Sequence, residues 1–466
     1  MQIRIFRQYL NLPIVVLALI EGAALIGSVY FAAFLRFSGS LSLAANAVGP
    51  VYPHALAFAG SVFVCMVAMG LYSARQRAKA WGLTVRIATS FVAAVVLMAL
   101  LSYLIRDVYM WRGWLLISVT LGFVLLAIVR FTFNRLVNED IFKRRVLVFG
   151  AGRQASSLAR LRRRTDQRGF FIIGYLPSGQ EKVAVPDDKL IAPAGSLLDF
   201  CAQQQVDEIV IAMDDRRRDF PVHELLECRL AGIEVLDLVS FLERETGKVR
   251  LDVLNPSWII FGHGFRRDTV RLATSRTFDV VASVTLLAIG WPFMLVTMLA
   301  IKLEDGLRAP VLYPQTRVGL QGREFRVLKF RSMRVDAEQG GKAQWAVTAD
   351  ARVTRIGKII RKTRMDELPQ LINVLAGDMS FVGPRPERPE FVNDLSEKIP
   401  YYRERLTVKP GLTGWAQLCY PYGSSEHDAA EKLQYDLYYV KNHTLLFDLV
   451  ILLQTCEVVL LGKGAR

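Results

Sequence analysis

The chain has little of what many metalloenzymes and hydrolases are built from. Its five histidines fall into no metal-binding or triad pattern, which sets aside zinc chemistry and imidazole-driven nucleophilic catalysis. The five cysteines, Cys65, Cys201, Cys228, Cys419 and Cys456, are odd in number and lack paired metal spacing. A zinc ribbon and a disulfide framework are thereby excluded, and reduced structural thiols are expected. No GxxxxGK[ST] occurs, which removes P-loop kinases and ATPases. No D-x-D occurs either, which argues against a metal-dependent glycosyltransferase of the nucleotide-sugar fold. Acidic residues are the scarcer charge, 43 against 58 basic, for a net +15. The Lys and Arg are scattered among apolar segments rather than gathered in a patch. Anionic lipid headgroups and phosphorylated substrates suit that pattern, and no nucleic-acid partner is expected.

What is present is mostly apolar. With 466 residues, 52% of them hydrophobic, and a mean hydropathy of +0.28, the chain has room for two or three domains and is too apolar to be wholly soluble. Four long apolar stretches, roughly 12 to 34, 52 to 72, 83 to 105 and 114 to 133, can each cross about 30 Å of hydrocarbon. Arg4 and Arg7 precede the first, Arg75, Arg77 and Lys79 lie between the second and third, and Lys143, Arg144 and Arg145 follow the fourth. The positive-inside rule then puts both ends of a four-helix bundle, residues 1–142, in the cytoplasm. Glu21 and Arg86 lie within or near these spans, where an ion either marks function or faces the bundle interior.

After Arg145 the pattern changes. VLVFGAG (146 to 152) reads as a buried strand with a Gly-rich turn, followed by a helix at ASSLARLRR. Strands near 171–176, 208–213 and 233–236 and helices near 196–204 and 221–230 complete a Rossmann-like α/β domain, assigned to 143–265. Gly150, Gly152 and Ala155 match the GxGxxA of a dinucleotide site, with the helix start receiving a pyrophosphate. The acidic residue that should bind the ribose is missing, because YLPSG (175 to 179) stands at the end of the second strand. Nucleotide binding at Gly150 and Gly152 and a purely structural role both remain open.

A fifth apolar segment, 278 to 301, has basic flanks on both sides: Arg266, Arg267, Arg271 and Arg276 before it, and Lys302, Arg308, Arg317 and Arg323 after it. A crossing helix should not be positive at both ends. Pro292 in its middle lacks a donor and clashes with the Ala288 carbonyl. A re-entrant helix-break-helix, entering and leaving by the cytoplasmic face, accounts for both features. The C-terminal 445 to 461, interrupted by Asp448, Gln454 and Glu457, is expected to be an interface-lying helix.

The most informative stretch is 361 to 391, RKTRMDELPQLINVLAGDMSFVGPRPERPEF. Arg361 and Arg364 can grip phosphate oxygens by forked hydrogen bonds. Asp366 and Glu367 then open a segment with Leu368, Leu371, Ile372 and Leu375 at helical spacing, which places two carboxylates at a helix start. Acidic residues with Pro369 behind them are also ordinary helix-start residues. KFRSM (329 to 333), VGPRP (382 to 386) and KPGLTGWAQ (409 to 417) argue for more than a cap. In this order and spacing the segments resemble the catalytic domain of the monotopic phosphoglycosyl transferases, bacterial sugar transferases that act on polyprenyl phosphate. The resemblance runs from about Arg276 to the C-terminus. The upstream half resembles, more loosely, the N-terminal part of the large exopolysaccharide-type members.

That resemblance implies a mixed α/β monotopic catalytic domain, residues 266–466, on the cytoplasmic face of the inner membrane. It implies transfer of a sugar-1-phosphate from a UDP-sugar to undecaprenyl phosphate, releasing UMP and initiating exopolysaccharide, capsule or O-antigen synthesis. Asp366 would be the nucleophile and a Mg²⁺ ligand, with Glu367 positioning the metal or acting as a base. Lys329, Arg331, Arg361 and Arg364 would face the phosphates, and the Pro384, Arg385 and Pro386 turn the nucleotide sugar. Tyr435 and Asp436, in YDLYYVKN, would be supporting or packing residues. A homodimer is expected from the frequency of twofold assemblies. Residues 1 to 262 would suit a membrane-bound NAD-dependent nucleotide-sugar dehydratase or epimerase equally, but no second Gly-rich fingerprint or Tyr-x-x-x-Lys follows residue 262. A non-catalytic assembly scaffold would show a degraded Asp-Glu pair, and this pair is intact.

Overall fold

The computed structural model describes residues 2–5, 8–37, 39–72, 80–136, 143–159, 169–178, 181–192, 195–215, 220–254, 269–334, 352–420, 423 and 425–460. Arg75, Arg77, Lys79, Arg266 and Arg267, on which part of the orientation argument rests, lie outside these residues, as does the end of the helix expected after Gly152. Two compact units divide the chain, Met1–Leu254 and Asn255–Arg466.

The first unit opens with a short hairpin, β1 (Gln2–Ile5) and β2 (Gln8–Asn11). Five helices follow: α1 (Leu12–Arg36), α2 (Leu41–Val48), α3 (Val51–Ala68), α4 (Ala80–Leu104) and α5 (Arg112–Leu136). Four of these, together with Thr269–Asp305 of the second unit, make five described helices long and apolar enough to cross a membrane by length and composition. The bundle core mixes aromatic, aliphatic and small residues, including Trp114, Phe58, Leu25 and Ala55. Glu21 is fully buried: the Arg130 guanidinium donates to it from Nε at 2.5 Å and Nη2 at 3.1 Å, and the Tyr72 hydroxyl donates to the same carboxylate. Arg130 also reaches the Leu71 carbonyl at 3.3 Å. Glu21 therefore faces the bundle interior and ties α1 to α5, because a lone carboxylate there would be costly.

The α/β layer is a four-stranded parallel sheet in the order β4-β3-β5-β6, made of β3 (Arg144–Phe149), β4 (Phe170–Leu176), β5 (Glu208–Ile211) and β6 (Glu234–Asp237). β3 and β5 are almost wholly buried, as strands covered on both faces must be. Helices α6 (Arg153–Ala159), α7 (Leu197–Gln203), α8 (Val222–Leu230) and α9 (Leu238–Thr246) accompany it. This is the parallel α/β pattern expected from the sequence, with strand and helix positions close to those read from it.

In the second unit, α10 (Thr269–Asp305) runs as one helix through Pro292. The expected break is therefore corrected: the helical assignment is uninterrupted. Proline's fixed φ suits a helix, and its missing N–H forfeits a single ladder bond, so a proline can bend a helix without ending it. Both arms of α10 pack on the same small domain. On the first arm, Arg276 donates to the carbonyls of Val374 and Leu375, and Asp279 accepts from Ser380 Oγ at 3.0 Å and Phe381 N at 3.1 Å. On the second, Met294, Met298 and Ile301 join a cluster with Phe330, Ile360, Met365 and Leu368. Glu304 accepts from the first amides of α11 (Arg355–Lys362), at 2.7 and 3.0 Å from Arg355 N and Ile356 N.

The remaining elements frame the site. β7 (Leu312–Val318) and β8 (Glu324–Phe330) form an antiparallel hairpin, α12 (Gln370–Ala376) packs on β8, and β9 (Ser380–Val382) pairs in parallel with β10 (Gly411–Thr413). α13 (Pro389–Lys398), α14 (Trp415–Cys419), α15 (Glu426–Asn442) and α16 (Leu445–Leu460) complete the unit. The part of α16 up to Thr455 does not simply lie with its polar groups outward. Asp448 is buried and accepts from the Tyr439 hydroxyl at 2.8 Å, and Thr455 meets Thr413 of β10 at 2.8 Å.

Candidate active site

The acidic pair sits in a tight turn rather than in the helix proper. Arg364 adopts a left-handed conformation at φ 59°, Met365–Glu367 forms a 3₁₀ turn, and α12 begins only at Gln370. The offset from the expected helix start has a local cause: Pro369 has no N–H to continue an α-helical ladder. The buried side of α12 is also not the leucine stripe alone. Gln370, Leu371, Asn373 and Val374 face inward, while Ile372 is exposed. Asn373 is the reason, since its side chain accepts from Leu328 N at 3.0 Å and donates to Arg326 O at 2.8 Å. That clamp fixes β8 beside α12 and brings Lys329 to the acidic pair.

Glu367 is the hub of the cations. Its Oε1 lies 3.4 Å from Arg385 Nη2 and 3.9 Å from both Lys329 Nζ and Arg364 Nη1. Burial works against its charge, but Arg385, Lys329 and Arg364 outweigh it and hold the carboxyl below the ordinary glutamate range. Asp366 is treated oppositely. Burial and the neighbouring Glu367 charge raise it to about 6, against the pull of Lys329, Arg361 and Arg364. Burial, then Arg385, lowers Lys329 to about 8. Asp366 Oδ1 is buried with no hydrogen-bond partner, and so are Nη1 of Arg331 and Nε2 of Gln370. An unsatisfied buried polar atom costs stability, so the unpartnered Asp366 Oδ1 beside Glu367 is a place that a ligand atom can fill.

The two glycine loops read from the sequence come together here. A Cβ on Gly383 would lie 2.3 Å from the Lys409 carbonyl, one on Gly411 2.1 Å from Gly383 N, and one on Gly414 2.3 Å from Gly383 O. VGPRP and KPGLTGWAQ are thus one interleaved backbone unit that only glycine permits. Arg405 props the turn from below: it donates to Asp436 from Nε at 2.9 Å and to the Arg385 carbonyl from Nη2 at 2.9 Å. Arg317 donates to the Pro386 carbonyl at 3.2 Å. Pro384 is buried, and Pro386 is half-buried. Gly357 of α11 lies against KFRSM, where a Cβ would come 2.0 Å from the Ser332 carbonyl. α11 carries Arg361, whose charge acts on Asp366.

Lys329, Arg364 and Arg385 are therefore assembled around Glu367, and Arg361 acts on Asp366. Arg317, Arg405, Gln370 and Asn373 are site-building residues that motif reading passed over. Asp436, expected as a supporting or packing residue, is the buried partner of Arg405, which lies 31 positions away and carried no motif signal. For a metal, Mg²⁺ is the ion to test. Among the described residues no group of three or more His, Cys, Asp or Glu could hold one. Mg²⁺ commonly takes one or two carboxylates and completes its shell with water and substrate phosphates, so the unpartnered Asp366 Oδ1 beside Glu367 fits it.

A desolvated carboxylate beside an ionised one, ringed by lysine and arginine, is an arrangement suited to phosphorylated anions, on a chain with helices long and apolar enough to cross a membrane. Residues 270–462 match the sequence profile of the family described as bacterial sugar transferase, and 67–227 that of a CoA-binding domain. The chain is 42% identical over 242 residues to a UDP-N-acetylgalactosamine-undecaprenyl-phosphate N-acetylgalactosaminephosphotransferase of Aeromonas hydrophila, covering 52% of this chain and 56% of that protein. It is 31% identical over 372 residues to a UDP-glucose:undecaprenyl-phosphate glucose-1-phosphate transferase of Xanthomonas campestris, covering 76% and 75%. A protein of the same description from Escherichia coli is 30% identical over 363 residues, covering 76% of each. The chain belongs to the bacterial sugar transferase family, in the group of polyprenyl-phosphate hexose-1-phosphate transferases, which are phosphoglycosyl transferases.

Proposed function

We propose that the protein transfers a sugar-1-phosphate from a UDP-sugar to undecaprenyl phosphate, forming the polyprenyl-diphospho-sugar and UMP, by way of an acyl phosphate on Asp366. The observation that carries this reading is the asymmetry of the pair. Glu367 is held ionised by three cations, whereas Asp366 keeps a buried, unpartnered oxygen and a carboxyl raised to about 6. At neutral pH Asp366 is ionised, poorly solvated and more basic than an ordinary aspartate, which favours nucleophilic attack. A carboxylate oxygen of Asp366 attacks the β-phosphorus of the donor, and the bond to the bridging oxygen breaks to release UMP. A phosphate oxygen of the polyprenyl acceptor then attacks the same phosphorus and frees the Asp366 carboxylate. Both steps exchange one phosphate linkage for another and gather negative charge, which Lys329, Arg331, Arg361, Arg364 and Arg385 offset. Asp366 would hold Mg²⁺, with Glu367 positioning it or acting as a base, and the ion would supply further charge neutralisation on the donor diphosphate. The Pro384, Arg385 and Pro386 turn, held rigid by Arg405 and Arg317, is the surface for the nucleotide sugar.

A UDP-hexose is the preferred donor class, with glucose, galactose and N-acetylgalactosamine as the candidates to compare. The protein is placed in the inner membrane with this site toward the cytoplasm, and α10 as a re-entrant helix. Convergence of the two arms supports that topology. A straight helix would hold Arg276 and Ile301 about 37 Å apart. Yet Arg276 bonds Val374, adjacent to Asn373, which is bonded to Leu328, two residues from the Phe330 that packs with Ile301. A bend near Pro292 brings the arms together. Incubating purified protein in detergent with Mg²⁺ and each UDP-sugar, with and without undecaprenyl phosphate, tests the reaction. A single-turnover release of UMP without acceptor supports the covalent route, and its absence while full turnover proceeds would overturn it.

A further inference from the structure

The glycine turn of the α/β domain is already filled. In a dinucleotide-binding sheet, the turn after the first strand offers its amides to a pyrophosphate at the carboxyl edge. Here those amides have protein partners. Asp214, in the loop after β5, accepts from Arg153 N at 2.9 Å through Oδ2 and from Gln154 N at 2.7 Å through Oδ1. Glu181, just past β4, accepts from Ala151 N at 3.1 Å and from Asp214 N at 2.7 Å. Ala184 N closes the ring on the Ala151 carbonyl at 2.8 Å. Gly152 is needed not for a ligand but for Asp214, whose Oδ2 would lie 2.4 Å from a Cβ there, and Gly150, at φ 116°, abuts the Ala212 backbone.

The ribose end is altered in the same sense. Past the second strand the chain does supply an acid, Glu181, but it is turned onto the glycine turn itself, and Ser178 is buried where a ribose-binding carboxylate would begin. We infer that Asp214 and Glu181 act as an internal substitute for a nucleotide's phosphates, so that this domain is a closed structural module and takes no CoA or dinucleotide at Gly150–Gly152. Two carboxylates in the cradle both occupy the donors and repel an incoming diphosphate. The conclusion is independent of the reaction proposed above, since every group involved lies in the first compact unit.

The test is equilibrium binding of NADH and of CoA to the full-length protein in detergent, each with and without excess UDP to block the catalytic site. The expected result is no UDP-insensitive saturable binding of either probe by wild type. Asp214→Ala should lower the melting temperature, with a smaller loss for Asp214→Asn, which keeps one accepting oxygen. Saturable, UDP-insensitive binding of NADH or CoA to wild type would overturn the inference. So would an unchanged melting temperature in Asp214→Ala, because the carboxylate would then not be holding the turn.

Discussion

Two turns in this molecule both present groups suited to a phosphate and differ in what their polar atoms meet. Gly150–Gly152 and the Arg364–Glu367 turn both place backbone or charged groups where a phosphate could sit. In the first, Asp214 and Glu181 satisfy the amides of Ala151, Arg153 and Gln154. In the second, Asp366 Oδ1 is buried without a partner, as is Nε2 of Gln370 at the start of the helix that follows. A turn whose donors are matched from within contributes to stability. One whose groups are left unmatched carries a stability cost that ligand binding relieves. Motif strength follows the same division: the weak glycine fingerprint belongs to the satisfied turn, and the long DELPQLINVLAGDMSFVGPRP run to the unsatisfied one.

Asp366→Asn should widen this contrast most. UMP release is expected to fall by on the order of 10³-fold or more, as for loss of a covalent nucleophile. Stability should not fall with it. Because Asp366 is raised to about 6 in the folded protein, the protonated form is favoured by folding. The corresponding stabilisation is complete below the ordinary aspartate range and is lost as pH rises through about 6. The neutral Asn escapes that loss, so at pH 7 the variant should melt at or above the wild-type temperature. A melting temperature that dropped several degrees would make Asp366 a structural residue and blur the comparison. Glu367→Gln should differ in its effect on stability, lowering it along with activity. Turnover is expected to fall roughly 10²-fold, with a stability loss on the order of 1 kcal/mol, since Arg364 and Arg385 are 38% and 37% exposed and screened by water.

How far these differences were legible depends on whether partners are local. The apolar runs and the β/α alternation carry their own periodicity, so the long helices and the parallel sheet could be read within a few residues. The Asp-Glu pair, KFRSM and the two glycine loops were visible as motifs. Their mutual arrangement was not, because it rests on long-range contacts: Gly383 against Gly411, Asn373 on β8, and Arg405 under the Arg385 carbonyl. The same holds for Arg130, which meets Glu21 from 109 positions away. Pro292 illustrates the opposite limit. Its chemistry was plain, yet only the backbone shows that the helix continues through it rather than breaking there.

Asp436→Asn probes the support beneath the second turn. Arg405 is buried and paired to Asp436 at 2.8 Å, so the substitution strands a guanidinium and should cost about 3 kcal/mol. Activity should fall about tenfold through misplacement of Arg385, visible as a raised KM for the UDP-sugar. A fall in stability with unchanged KM would limit Arg405 to folding. The pH profile is a gentler perturbation of the same site. With Asp366 ionising near 6 and Lys329 losing its proton near 8, turnover should rise through the first value and decline through the second. Lys329→Arg should remove the alkaline limb, because a guanidinium keeps its charge there.

The smallest expected effect is the one that most directly tests the satisfied turn. Asp214→Ala removes two accepted hydrogen bonds from Arg153 N and Gln154 N and should cost about 1 kcal/mol, the usual worth of such a cap. UMP release should stay within a factor of about two, because nothing in the reaction uses those amides. The two turns then respond in opposite ways to loss of an acid: at Asp214 stability falls and chemistry persists, at Asp366 chemistry is lost and stability persists. A variant at Asp214 that kept its melting temperature but lost turnover would show that the α/β domain communicates with catalysis through this turn, and that the satisfied turn is a control point rather than a fixed joint.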